Sequence, residues 1–216
     1  MNAQRRRGPK ERGRKGRRIA RATSTVDAPP YITRKIPVYE LASEELLALV
    51  EENTEIVLEE IGIDFRDDPQ TLQLFRDAGA LVEVERVRFP RGMCREIIQR
   101  NAPNEFTQHA RNPDRSVQIG GDHAVFVPAY GPPFVRDLDS GRRYATIEDF
   151  RNFTKLTWMS PALHHSGGTL CEPVDVPVNK RHLDMIYSHL RWSDKPFMGS
   201  VTAPERAQDT VDMAEI

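Results

Sequence analysis

The chain has 216 residues, of which 38% are hydrophobic and 29% charged, with a formal net charge of −1. That length allows one domain, or one domain with a tail. No apolar run approaches the roughly 18–20 residues of a membrane span, and the first residues lack the apolar core of a secretory signal. The two cysteines, Cys94 and Cys171, have neither disulfide-framework nor metal-ligand spacing, so a cytoplasmic protein with reduced thiols and no membrane partner is expected.

The small net charge hides an asymmetry. Residues 1–22 (MNAQRRRGPKERGRKGRRIARA) hold ten Lys or Arg and one acid, a net of +9; the rest holds 21 basic and 31 acidic residues, a net of −10. A basic run of this kind can neutralise phosphates. It has no aromatic residue to stack on a base and no helical spacing of its charges. A disordered, solvated arm over 1–30 is therefore favoured over a nucleic-acid-binding one.

Residues 31–116 read as a small α+β region. YITRKIPVYE (31–40) is an extended lead-in. Ser43 caps a helix with Glu44 and Glu45 in its first turn, where the helix dipole favours acids. Leu46, Val50, Val57 and Ile61 recur at helical spacing as the inward stripe, and Gly62 stops the helix. Asp68-Pro69 opens a second helix with Leu72 and Phe75 inward, ending at Gly79. The alternation of LVEVERVRF (81–89) predicts a strand. A third helix, Pro90 to Asn101, presents Met93, Ile97 and Ile98.

From about 117 to 216 the pattern is strand and helix in turn. HAVFVPAYG (123–131) is predicted as a strand, followed by a hairpin at DLDSG (137–141). Thr146 caps a helix, with Asp149 three residues on and Ile147, Phe150 and Phe153 inward, ended by Ser160-Pro161. ALHHSGGTL (162–170) is a second strand. A helix opening at Pro177 with Leu183, Ile186 and Leu190 follows, then PFMGSVT (196–202) as a third strand. Thr202 and Glu205 have capping-box spacing for a last helix. Strands recurring at intervals of about 35 residues match the repeat of a (β/α)₈ barrel. A doubly wound sheet would usually carry a Gly-rich phosphate loop, and none is present. The fold class expected is α/β, a partial TIM barrel of about three βα units. A complete barrel needs roughly 250 residues, and the chain stops at TVDMAEI inside an amphipathic run, so the front part of something longer is expected.

Barrels place their functional groups at strand C-terminal ends and in the loops that follow. That singles out Tyr130 and Gly131, then Gly168 to Glu172, then Ser200 to Thr202. Tyr130 offers an aromatic face of the kind that recognises methylated ammonium groups, with core packing as the competing reading. Glu172 at a strand exit can meet a cationic substrate or cap a nearby backbone N–H. Thr169 lies beside them. Asp175 reads as the N-cap of the following helix. Cys171, with no basic neighbour in sequence, reads as an inert thiol. His164 and His165 are adjacent on a strand and point to opposite faces. They read as one buried, satisfied histidine and one packed against a helix. His182 and His189, two turns apart on a helix with no carboxylate or cysteine completing a site, read as surface residues. No complete catalytic constellation emerges.

Taken together, YITRKIPVYE, LEEIGIDF, IGGDHAVFVPAYGPPFVRDLDSGRRYATIEDFRNFTKL, HHSGGTLCEPVDVPVNKRHLDMIY and SDKPFMGSVTAPERA resemble the trimethylamine methyltransferase family. The resemblance covers about residues 31–216. It implies a (β/α)₈ barrel that takes a methyl group from a small methylated amine. The acceptor it implies is the Co(I) of a corrinoid (cobalamin) carried by a cognate corrinoid protein, so no cofactor is expected to be bound directly. Archaeal trimethylamine enzymes of the family use pyrrolysine; relatives without it act on quaternary amines such as glycine betaine. Nothing in 1–216 matches the pyrrolysine position, so the resemblance implies the N-terminal portion of a non-pyrrolysine member. Tyr130, Thr169 and Glu172 are then the expected substrate-binding residues, with catalytic residues unassigned and no metal site. An inactive fragment, or a half-enzyme completed by a separate C-terminal half, is the alternative. A homo-oligomer would be one way to cover open strand edges.

Overall fold

The computed structural model describes residues 29–199 and 201–216. Most of the expected basic arm, and Ser200 at the third expected strand exit, lie outside the described residues. The described chain forms a mixed α and β fold divided into two compact units.

The first of these units in chain order spans Arg34–Phe106 together with Gly120–Asp122. Ser43 caps helix α1 (Glu44–Ile56), its side chain accepting from the Leu46 N–H. The helix then widens into a π turn over Val57–Ile61, and Gly62 ends it at φ +73°. The expected inward stripe is not inward: Leu46, Val50, Val57 and Ile61 are between 48% and 56% exposed. The reason is charge. Arg91 pairs with Glu52 and Glu59, Arg95 with Glu51, and Glu55 accepts from the Gly92 N–H. These contacts turn the acidic flank of the helix toward the unit, and Leu58 is what reaches its core.

Helix α2 (Pro69–Asp77) is capped by Asp68 as predicted. The LVEVERVRF strand is corrected to a hairpin: β3 (Leu81–Glu83) and β4 (Arg86–Arg88) are antiparallel, with Val82 opposite Val87. A two-residue turn gives each arm the same alternation that one strand would show. The turn holds Val84 at φ +57°, where a β-branched residue is strained. Strand β2 (Ile63–Asp64) completes the sheet in the order β2-β4-β3. Helix α3 (Met93–Asn101) contributes Met93 and Cys94 to a core of Leu72, Ala80, Val87 and Phe89, but leaves Ile98 exposed.

The other unit contains Thr107–Ile119, His123–Ile216 and the described residues up to Thr33. Strand β1 (Ile32–Thr33) pairs antiparallel with β7 (His123–Ala124). They belong to a sheet ordered β1-β7-β6-β5, with β6 at Val117–Gly120 and β5 at Glu105–Gln108. The predicted hairpin forms: β8 (Phe134–Asp137) against β9 (Gly141–Tyr144). Thr146 and Asp149 build a full capping box on helix α4 (Ile147–Met159). Helix α5 (Val178–Trp192) packs on α4, and α6 (Pro204–Glu215) packs on α5. The core is Val135, Ala145, Phe150, Leu170, Cys171 and Met185. The last helix lacks its expected capping box: Ala203 is the N-cap, and Thr202 instead accepts from the Arg206 guanidinium.

The three predicted strands need a correction too. Among their described residues only His123–Ala124 is regular strand, and its partners are β1 and β6. The rest is extended chain tied by isolated rungs. His164 N–H donates to Phe126 O (3.0 Å), and Gly131 N–H to Thr169 O (2.7 Å). Both rungs join residues 38 apart, so the two segments run parallel; donor and acceptor change sides between the rungs, so the register slips between them. A parallel ladder would need the N–H of residue 128 next, and Pro128 has none. On the other side Ser166 N–H donates to Pro196 O (2.7 Å) and Met198 N–H to Gly167 O (2.8 Å). A regular ladder would use the carbonyl of residue 166; Gly167, at φ +91°, slips the register by one. Three parallel segments therefore lie side by side, interrupted by proline and glycine.

Candidate functional site

The ends of these segments gather the residues that the sequence singles out. Gly131 N–H reaches Thr169 O, which brings Tyr130 and Thr169 to adjoining positions on neighbouring segments. Gly168 is the hinge of the arrangement. A Cβ there would lie 3.4 Å from Met198 O and 3.6 Å from the edge of the Tyr130 ring. Because glycine has none, Tyr130 reaches across to the third segment, and its hydroxyl donates to Met198 Sδ at 3.0 Å. The ring is 44% exposed, and burial of its inner part pushes the phenol up from its ordinary pKa.

Glu172 is placed by its N–H, which donates to Pro132 O at 3.0 Å. Its carboxylate forms an ion pair with Arg181 of α5, a guanidinium that also donates twice to Val176 O. Thus the acid is tethered to the loop it begins. Asp175 does not cap its own following helix, where Pro177 is the N-cap. It accepts instead from Ile147 N–H (2.8 Å), adding a second acid to the start of α4.

Beneath this surface lies a buried polar layer. His189 and His182 are 2% and 4% exposed, so the surface reading of both is overturned. His189 Nε2 faces Gly168 O at 2.8 Å, which fixes the proton on Nε2; Nδ1 then accepts from Ser166 Oγ at 2.9 Å. Its ring stacks on Phe197. His165 Nδ1 accepts from Gly167 N–H, and its Nε2 donates to Gln108 Oε1 (3.1 Å). Burial pushes both imidazoles down to about 4, so both are neutral at pH 7. His182 Nε2 meets Asp209 of α6 at 2.7 Å, a carboxylate 27 residues away.

Ser166 and His189 have nucleophile–base spacing, but Ser166 is fully buried and the far nitrogen of His189 meets a carbonyl rather than a carboxylate. The pair is a strut. Cys171 is equally inert, its thiol pushed up to about 12 by burial and by Asp149, Glu172 and Asp175 nearby. Lys195, 3% exposed, donates to the carbonyls of Thr157, Ser160 and Leu163 and so closes the C-terminus of α4. Among the described residues no three His, Cys, Asp or Glu converge as a metal site. Arg181, Lys195 and Met198 help carry the arrangement and were not singled out from sequence. Their partners lie 9 to 68 residues away, and only a three-dimensional neighbour reveals them.

The described ends of the segments thus present an exposed aromatic residue, Tyr130, and a carboxylate, Glu172, tethered to Arg181. The chain belongs to the trimethylamine methyltransferase family, whose pattern matches residues 10–216. It is 47% identical over 181 residues to the glycine betaine methyltransferase of Desulfitobacterium hafniense (strain Y51). That match covers 84% of this chain and 37% of the relative, so the chain spans little more than a third of that protein's length.

Proposed function

We propose that this chain forms the first part of a (β/α)₈ barrel that moves a methyl group from a quaternary amine to a corrinoid. The amine favoured is glycine betaine, and the corrinoid is carried by a separate protein in the cytoplasm. The observation that carries the reading is the Tyr130 ring, half exposed and pinned by Met198, in a chain 47% identical to a glycine betaine methyltransferase. Support for the barrel comes from three parallel segments, each followed by one of α4, α5 and α6. Tyr130, Thr169 and Glu172 all fall at the C-terminal ends of those segments, where barrels bind substrate.

The chemistry asks little of the protein. Co(I) of the acceptor supplies the electron pair; the cobalt–carbon bond forms as the carbon–nitrogen bond breaks. The nitrogen keeps its pair and leaves as a neutral tertiary amine, so no proton moves. The chain's residues need only hold the N-methyl carbon in line. Tyr130 presents its ring face to the ammonium, an attraction worth about 0.5–2 kcal/mol. Thr169 borders the same opening. Glu172 shares its charge with Arg181, so it sets the edge of the opening more than it adds net charge.

The test is glycine betaine binding, read by saturation transfer to its N-methyl protons. Tyr130→Ala should weaken binding by up to about 30-fold, the factor that 2 kcal/mol gives. Tyr130→Phe should keep most of it. Unchanged binding in a folded Tyr130→Ala chain would end this reading.

A further inference from the structure

Trp158 and Trp192 are the chain's two tryptophans, and both line a cleft of about 490 Å³ at the C-terminal ends of α4 and α5. Its rim is cationic. Arg111, Lys155 and Arg191 line it, against one lining carboxylate, Asp194. That carboxylate is already engaged, accepting from Trp158 Nε1 at 2.9 Å and from Asn112 Nδ2 at 3.0 Å. Lys155 Nζ stands 5.1 Å from the centre of the Trp192 ring, and the Arg151 guanidinium 5.6 Å. Arg191 is exposed and makes no ion pair among the described residues.

Helix C-termini normally repel anions, because their last carbonyls carry partial negative charge. Here both ends are closed from within. Lys195 takes three carbonyls at the end of α4, and Arg111 donates to Leu190 O (2.5 Å) and Ser193 O (2.9 Å) at the end of α5. What remains toward solvent is a concavity with indole walls and a positive rim. Its volume falls within the roughly 300–1,000 Å³ usual for small ligands. The cations surround one hollow and do not form a track, which disfavours a nucleic-acid strand.

We propose that this cleft is a binding site for a planar aromatic anion of the nucleoside phosphate class, separate from the opening at Tyr130. The ring of the ligand lies against the indoles, and its phosphate sits among Arg111, Lys155 and Arg191. The tryptophans make the test specific, since the chain's indole fluorescence arises at this cleft. AMP is titrated into the full chain at constant ionic strength, with adenosine, ribose 5-phosphate and a short oligothymidylate as separate arms. AMP should give a saturable change; adenosine, which lacks the anion, and ribose 5-phosphate, which lacks the ring, should bind at least tenfold more weakly. Arg191→Gln and Lys155→Gln should each weaken AMP by roughly threefold to tenfold, as loss of one charge-assisted phosphate contact does. Circular dichroism melts keep fold and binding apart in these variants. No saturable response to millimolar AMP, an equal response to adenosine, or AMP affinity untouched in both folded variants would overturn the proposal. Tighter binding of the oligothymidylate than of AMP would reassign the cleft to nucleic acid.

Discussion

The two buried imidazoles make acid stability a quantitative test of the polar layer. His165 and His189 are 1% and 2% exposed, and burial lowers each from the ordinary 6.5 to about 4. As pH falls below 6.5 the unfolded chain takes up a proton at each of these positions that the folded chain refuses, and His164, lowered by burial and by Lys195, adds to the same effect. The stabilisation is therefore complete above 6.5 and is lost as pH falls toward 4. At about 1.4 kcal/mol per pH unit for each group, the loss between pH 7 and pH 5 comes to roughly 2 kcal/mol per histidine, or about 4 kcal/mol for both. Carboxylates add little in this window, since Asp149 and Asp137 are held below the usual carboxylate range and titrate at lower pH. Urea unfolding at pH 7 and pH 5 measures the difference, with indole fluorescence as the probe because both tryptophans lie in the unit that holds the histidines. His189→Gln should lower stability at pH 7 and remove roughly 2 kcal/mol of the pH dependence. Equal stability at the two pH values in the parent chain, or an undiminished slope in His189→Gln, would refute the assignment of neutral buried rings.

Lys195→Met keeps the buried stem but leaves three carbonyls without their donor; a loss of about 3–5 kcal/mol is expected, read as a lower urea midpoint by indole fluorescence. Gly167→Ala puts a Cβ 2.6 Å from Pro128 Cγ at φ +91°, whereas Gly168→Ala meets nothing nearer than 3.4 Å. Thermal melts should show the first costing roughly 1–3 kcal/mol and the second under about 1 kcal/mol. Gly62→Ala, with Val87 O 2.3 Å from the new Cβ, should destabilise the other unit while leaving indole fluorescence in its folded range under mild denaturant.

Local chemistry was readable in the sequence at several positions whose partners are local, though not at Thr202 and Glu205. Ser43, Asp68 and the Thr146–Asp149 box cap helices within three residues of themselves, and the DLDSG turn closes its hairpin within the turn's own reach. The stripe of α1 misled because period alone cannot say which flank has a partner; Arg91 and Arg95 lie roughly 40 residues on and recruit the acidic flank. LVEVERVRF misled because a hairpin with a two-residue turn preserves the alternation of one strand. The histidines misled because their partners are distant in sequence: Asp209 of α6 for His182, and Ser166 and Gly168 for His189. Asp175 shows the same limit from the other side: a capping residue was identified, but the helix it serves begins 28 residues earlier.

The buried layer and the exposed ring form one mechanical unit. His189 donates to Gly168 O, and Gly168 is the residue over which Tyr130 reaches Met198. His165 takes the N–H of Gly167, whose left-handed backbone sets the slip between the second and third segments. Each imidazole thus fixes one of the two glycines; His165 does so only while neutral, since a protonated ring has no lone pair to accept from Gly167, whereas a protonated His189 keeps its bond to Gly168 O and loses the one from Ser166. Under the proposed methyl transfer, in which no proton moves, these histidines have no acid–base task. Their lowered pKa values follow from burial, which the hydrogen bond of His189 to Gly168 O opposes. A perturbed histidine close to a binding surface is ordinarily a reason to suspect catalysis. Here the hydrogen-bond partners, two backbone groups, a serine and a glutamine, assign both rings to positioning.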